Sequence, residues 1–169
     1  SLLIKKIKKN IKFDLILVVG GNHFSKKYGN TINEILKDKI KINYFFNFHA
    51  KSTSQGKILN YMSKSIPNYF RFLSKIKPDL AIVLGDRYEA YCFSLASFFC
   101  NIKICHIHGG EVTTGAYDDA LRHSITKFSS LHFVCHENYR KRVIQLGENP
   151  KTVFNVGSLG VEKIKKINL

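Results

Sequence analysis

Short apolar runs alternate along this chain with longer segments of helical period, and that alternation restricts the fold more than any other feature. The run Leu80–Leu84 reads LAIVL, apolar at every position, as a strand covered on both faces must be. Similar strands are expected at Phe13–Val19, Ile40–Phe46, Ile102–Ile107, Leu131–Cys135 and Val153–Val156. Between them, helices are expected at Asn30–Lys37, Ser54–Lys75, Tyr88–Phe99, Tyr117–Phe128 and Glu137–Gln145. In the long crossover segment Ile58, Tyr61, Met62, Ile66, Tyr69, Phe70 and Leu73 recur at steps of three and four, and Pro67 should kink or split it. Strand and helix in strict alternation define an α/β doubly wound, Rossmann-like parallel sheet. Residues Ser1–Lys9 carry Leu2, Leu3 and Ile7 on one helical face with lysines opposite, so they read as the end of a helix that should itself follow a strand.

Composition narrows the function classes. A chain of 169 residues with 44% hydrophobic and 23% charged residues can bury one sizeable core. Its net charge of +15 raises the question of a nucleic-acid or membrane partner. The lysines, however, are spread along the whole chain, and most aromatics fall in apolar runs such as Tyr91–Phe99, where core packing is the expected role. Neither nucleic acid nor membrane is expected as a partner, and the basic surface suits a diphosphate substrate or an acidic partner domain. Cys92, Cys100, Cys105 and Cys135 form no C-x-x-C pair, which points to free thiols in a reducing, cytoplasmic setting. The phosphate-binding motif G-x-x-x-x-G-K-[ST], the dinucleotide fingerprint and the G-x-S-x-G nucleophile elbow do not occur.

In a doubly wound sheet, ligands bind beyond the carboxyl ends of the strands. Four such places are polar here: Gly20-Gly21-Asn22-His23, Gly85-Asp86-Arg87-Tyr88-Glu89, His106-Ile107-His108-Gly109-Gly110-Glu111 and Gly157-Ser158. Asp86 taken alone reads as the N-cap of the helix that follows, a role worth ~1 kcal/mol, before it reads as a catalytic group. The loop GGEVTTGAYDD adds Glu111, Asp118 and Asp119 in the middle of a basic protein, and paired carboxylates on one sheet edge are what proton transfer at carbon requires. His106 and His108 alternate at a strand end and should point to one side. No third ligand is evident beside them, so no metal site and no cofactor are expected. His132 sits in an apolar run and reads as structural, like His123 and His136.

The runs LGDRYEA, CHIHGGEVTTGAYDDALRHSITKFSSLHF and RKRVIQLGENPKTVFNVGSLGVE, with GGNHFSKKYGNTINEILKD before them, resemble the hydrolysing UDP-N-acetylglucosamine 2-epimerases of sialic acid synthesis. The HIHGGE form of the histidine loop separates this branch from the non-hydrolysing epimerases, which carry H-x-E-A-G-x-R-T. The resemblance implies the N-terminal domain of a GT-B fold, with residues 1–157 as an incomplete Rossmann-like domain and 158–169 as the start of a connection to a C-terminal domain. It also implies an opening strand before residue 1, central in the sheet between Phe13–Val19 and Leu80–Leu84. The implied activity is elimination of UDP to a 2-acetamidoglucal followed by hydration to N-acetylmannosamine, with the fragment alone inactive and the full-length enzyme a homo-oligomer. Asp86, Glu111 and Asp118 are then the candidate catalytic carboxylates, and Arg87, His106, His108 and Asp119 the candidate substrate contacts. A UDP-N,N′-diacetylbacillosamine epimerase, a non-hydrolysing epimerase and a non-catalytic nucleotide-sugar module remain as alternatives. Carboxylates at the centre of the site argue against the last, because a pure anion-binding site gains nothing from them.

Overall fold

The computed structural model describes residues 2–24, 32–37, 40–46, 54–114 and 117–160, in two units, residues 1–61 and 62–169. The first holds α1 (Leu2–Lys9), β1 (Val18–Gly20), α2 (Ile32–Lys37) and β2 (Tyr44–Phe46). β1 and β2 pair in parallel, Val18 opposite Tyr44 and Gly20 opposite Phe46. The strand expected from Phe13 onward is shorter, because its ladder with β2 begins only at Val18. Leu17 N donates instead to the Asn43 side chain at 2.9 Å, and Phe13 stays exposed. Gly20 ends β1 and Gly21, at φ 64°, opens a 3-10 turn, Gly21–Phe24.

The boundary between the units falls within α3 (Gln55–Ile76), which runs unbroken through Pro67. The split expected there does not occur. Pro67 lies on the exposed face, so the opening it forces in the backbone ladder faces solvent, and Asn68 Nδ2 donates to the Lys64 carbonyl at 2.7 Å in the turn before it. On the opposite face Tyr61, Ser65, Tyr69 and Leu73 are buried at helical spacing.

The second unit is built on four parallel strands in the order β3 (Leu80–Leu84), β4 (Lys103–Ile107), β5 (Leu131–Val134) and β6 (Val153–Asn155). β1 and β3 belong to different sheets. The crossovers are α4 (Tyr88–Phe99), α5 (Tyr117–Phe128) and α6 (Glu137–Gln145). Each steps one strand in the same direction, so right-handed connection places all three helices on one face. Under them lie Ala81, Val83, Ile104, His106, His132, Val134 and Val153, all buried. Leu80, Ile82 and Leu84 point the other way and are more than a third exposed. Val143 of α6 packs with Val134 and Val153 of the sheet in a cluster closed by Tyr139 and Ile144. The aromatic run in α4 is only partly core: Tyr69 meets Phe93 edge-on at 5.3 Å, whereas Phe98 and Phe99 are at least half exposed. All four cysteines are free thiols, Cys92 and Cys105 buried and Cys100 and Cys135 half-buried. Among the described residues no helix is long and apolar enough to cross a membrane.

Candidate acid–base site at the carboxyl edge of the sheet

All the candidate site residues lie in the second unit, where β3, β4 and β5 end. Gly85 leaves β3 at φ 87°, a conformation that favours glycine, and delivers Asp86 to the rim. The N-cap of α4 is Arg87, without a side-chain capping bond, so Asp86 is not the cap that its position suggests. Its Oδ2 accepts instead from Arg122 Nη2. Arg122 is the centre of the constellation, although the sequence motifs did not single it out. The same Nη2 donates to Thr113 Oγ1 at 2.9 Å, Nη1 donates to Asp119 Oδ1 at 3.4 Å, and Thr113 N donates to that Asp119 oxygen at 3.1 Å. One guanidinium therefore ties the rim after β3 to the loop after β4. With only 4% of its side chain exposed, it interacts with Asp86 and Asp119 largely out of water, where ionic contacts are strong. The missed signal was a charged residue on the apolar stripe of a helix: Arg122, Ile125, Thr126 and Ser129 follow at steps of three and four and are all buried.

The two histidines do not form a pair. His106 stays in the strand, fully buried, with Nδ1 3.1 Å from Thr126 Oγ1 and Nε2 2.9 Å from the Gly85 carbonyl. Burial lowers its pKa to about 4, so at neutral pH it is an uncharged brace between β4, α5 and the turn before Asp86. It has no surface with which to line a sugar pocket. His108 follows the end of β4 at φ 67°, unusual for a residue with a side chain, and this breaks the strand alternation that would have set both rings on one side. Its main chain is held by donation to the Phe133 carbonyl at 2.9 Å, and its Nδ1 lies 2.6 Å from Glu111 Oε1.

Glu111 also accepts from Cys135 Sγ at 3.2 Å. Burial first, then the bond to Glu111 and its charge, push the Cys135 thiol up to about 11. The loop that carries Glu111 is pinned by Arg142, whose Nη1 donates to the Gly110 carbonyl. Gly110 sits at φ 78°, and a Cβ there would lie 2.5 Å from the Tyr139 carbonyl, so the loop and α6 approach closely only because the side chain is absent. Asp118 is half-buried in the first turn of α5 and makes no hydrogen bond or ion pair among the described residues. Arg87 points partly to solvent, its Nε 3.2 Å from Glu89 Oε2 and its guanidinium over the Tyr88 ring.

A parallel α/β sheet with its polar cluster at the carboxyl edge defines a Rossmann-like domain, and solved structures place it in the GT-B fold. The chain superposes on the UDP-N-acetylglucosamine 2-epimerase from Neisseria meningitidis bound to UDP-GlcNAc with a TM-score of 0.81 at 21% identity, covering 98% of this chain and 46% of that one. A second crystal structure of a UDP-N-acetylglucosamine 2-epimerase gives 0.82 at 19% identity, covering 96% and 45%. Residues 5–168 match the family model for UDP-N-acetylglucosamine 2-epimerase, and the chain belongs to that family. It is 42% identical to the polysialic acid biosynthesis protein P7 of Escherichia coli, over 99% of this chain and 43% of the relative. It is 38% identical to the hydrolysing GDP/UDP-N,N′-diacetylbacillosamine 2-epimerase of Campylobacter jejuni, over 98% and 43%. The chain thus spans less than half the length of the curated relatives it matches.

Proposed function

We propose that this chain supplies the acid–base half of a hydrolysing UDP-N-acetylglucosamine 2-epimerase. The observation that carries this reading is the Arg122 constellation, which gathers Asp86, Thr113 and Asp119 on one sheet edge beside the His108–Glu111 pair. Arg122 compensates Asp86 and Asp119, while Glu111 faces a neutral thiol and an imidazole, so the carboxylates sit in different environments.

In the first step a carboxylate takes the proton from carbon 2, the pair from that C–H bond forms the C1–C2 double bond, and the C1–O bond breaks with its electrons leaving on UDP. In the second, water adds its hydroxyl to carbon 1 and a proton is delivered to carbon 2 from the opposite face, giving N-acetylmannosamine. Asp86, Glu111 and Asp118 are the acid–base candidates. His108 would meet the sugar and hold Glu111, Asp119 would act through Arg122, and Arg87, half exposed, would meet phosphate. His106 would serve as a buried support for the Asp86 turn.

Residues 1–157 would form the first Rossmann-like domain and 158–169 the beginning of a connection to a second, which supplies the remaining nucleotide contacts. The hydrolysing Campylobacter relative favours a second reading, in which the sugar is N,N′-diacetylbacillosamine. The test is the full-length enzyme incubated with each UDP-sugar, with products followed by NMR. Free N-acetylmannosamine and UDP support the proposal. UDP-N-acetylmannosamine as the main product would move the protein to the non-hydrolysing branch, and turnover of the bacillosamine substrate alone would select the second reading.

A further inference from the structure

His108, Glu111 and Cys135 come from three places in the chain: the residue after β4, the loop beyond it, and the residue after β5. Their ligand atoms, His108 Nδ1, Glu111 Oε1 and Cys135 Sγ, all lie within 4.8 Å of one another. We propose that these three side chains form a binding site for a thiophilic divalent cation, zinc by preference, and that its occupancy shuts off the acid–base site.

The donor set is one imidazole nitrogen, one carboxylate oxygen and one sulfur, a combination that suits zinc and not the hard, all-oxygen sites of magnesium or calcium. Zinc bonds of about 2.0–2.3 Å in tetrahedral array place neighbouring ligand atoms about 3.3–3.6 Å apart. The present separations are 2.6 Å from His108 to Glu111 and 3.2 Å from Cys135 to Glu111. Both lie within an ångström of that geometry, and the third, His108 to Cys135, is no more than 4.8 Å. The site is reachable from water, since the side chains of His108 and Glu111 are 22% and 30% exposed. Its backbone is held firmly: the His108 amide donates to Phe133, and Gly110 is locked against α6 by Arg142. His106 takes no part, because both its ring nitrogens are already occupied. Three protein ligands leave a fourth position for water.

On binding, the thiol gives up its proton, and the metal takes the lone pairs with which Glu111 would accept one. Inhibition of turnover rests on the role proposed above for Glu111; binding does not.

The experiment is a titration of the reduced full-length enzyme with cobalt(II), whose tetrahedral thiolate complexes absorb strongly, followed by displacement with zinc. One equivalent should give a thiolate-to-cobalt charge-transfer band with intense visible bands, lost on adding zinc. Cys135→Ser should abolish the charge-transfer band and weaken zinc by at least about tenfold. His108→Ala should weaken it comparably, and Cys100→Ser should change nothing. A spectrum that survives Cys135→Ser, or no stoichiometric binding, overturns the site. In the full-length enzyme zinc should inhibit reversibly, a chelator should restore turnover, and Cys135→Ser should resist zinc relative to its own metal-free rate. Stoichiometric zinc with unaffected turnover would remove Glu111 from the chemistry while leaving the metal site standing.

Discussion

Replacing Arg122 by methionine keeps the length and bulk of the side chain and removes its charge, which isolates what the guanidinium contributes. In the parent its side chain is 4% exposed and donates to Asp86, Asp119 and Thr113. Removing one partner of a fully buried ion pair costs about 3–5 kcal/mol. Asp86 and Asp119 keep 24% and 34% of their side-chain surface and can rehydrate in part, so the expected loss is lower, about 2–4 kcal/mol. For a chain of this size that is a fall in melting temperature of roughly 5–15 °C. The assay is urea unfolding followed by circular dichroism in a double-mutant cycle with Asp86→Asn. Arg122→Met should be the most destabilising variant. The pair together should cost less than the sum of the two single changes, with a coupling of about 1–3 kcal/mol. Arg122→Lys should recover only part, because one ammonium does not reproduce the two-nitrogen fork. A loss below about 0.5 kcal/mol for Arg122→Met, or additive single changes, would show that Arg122 does not organise this edge.

Other perturbations test the remaining parts. In the full-length enzyme, Asp86→Asn and Glu111→Gln should each lower turnover about 100-fold or more with the fold retained, checked by kinetics beside circular dichroism. Unchanged turnover in either would take that residue out of the acid–base chemistry. His106 is neutral in the folded chain, with its pKa lowered from 6.5 to about 4. Between those values the unfolded chain binds the extra proton, so stability is whole above pH 6.5 and declines by roughly 3 kcal/mol as pH falls to 4. Burial lowers the pKa of His132 as well, and it adds in the same direction. His106→Gln should flatten this dependence, and an unfolding free energy as steep in the variant as in the parent would refute the assignment. Gly110→Ala must find space where a Cβ would be 2.5 Å from the Tyr139 carbonyl and must hold φ at 78°; it should cost about 2 kcal/mol or more in a melt and loosen the loop in amide exchange.

The alternation of strands and helices in residues 80–155 was legible in the sequence because it is local. LAIVL is apolar at every position and forms the strand that its pattern predicts, although only Ala81 and Val83 are buried and Leu80, Ile82 and Leu84 are more than a third exposed, and Tyr88–Phe99, Tyr117–Phe128 and Glu137–Gln145 begin and end as helices where their patterns do. The position of Asp86 and of the glycine loop on the carboxyl edge follows from the same alternation, since in a parallel sheet every strand ends on one side. Pro67 shows where a local rule loses: its penalty is real, but it falls on the solvent side of a helix whose other face is buried from Tyr61 to Leu73. The membership of the site was decided by tertiary structure. Arg122 reads as one more cation in a basic chain until packing of α5 against β4 buries it with Asp86, thirty-six residues away. His106 and His108 look equivalent two positions apart, and only the left-handed turn at His108 sends one ring to Glu111 and leaves the other inside. Cys135 is an unremarked thiol in the sequence, twenty-four residues from Glu111. It reaches that carboxylate because β4 and β5 are paired in one register, and a register is a property of two strands together, which no single stretch of sequence contains.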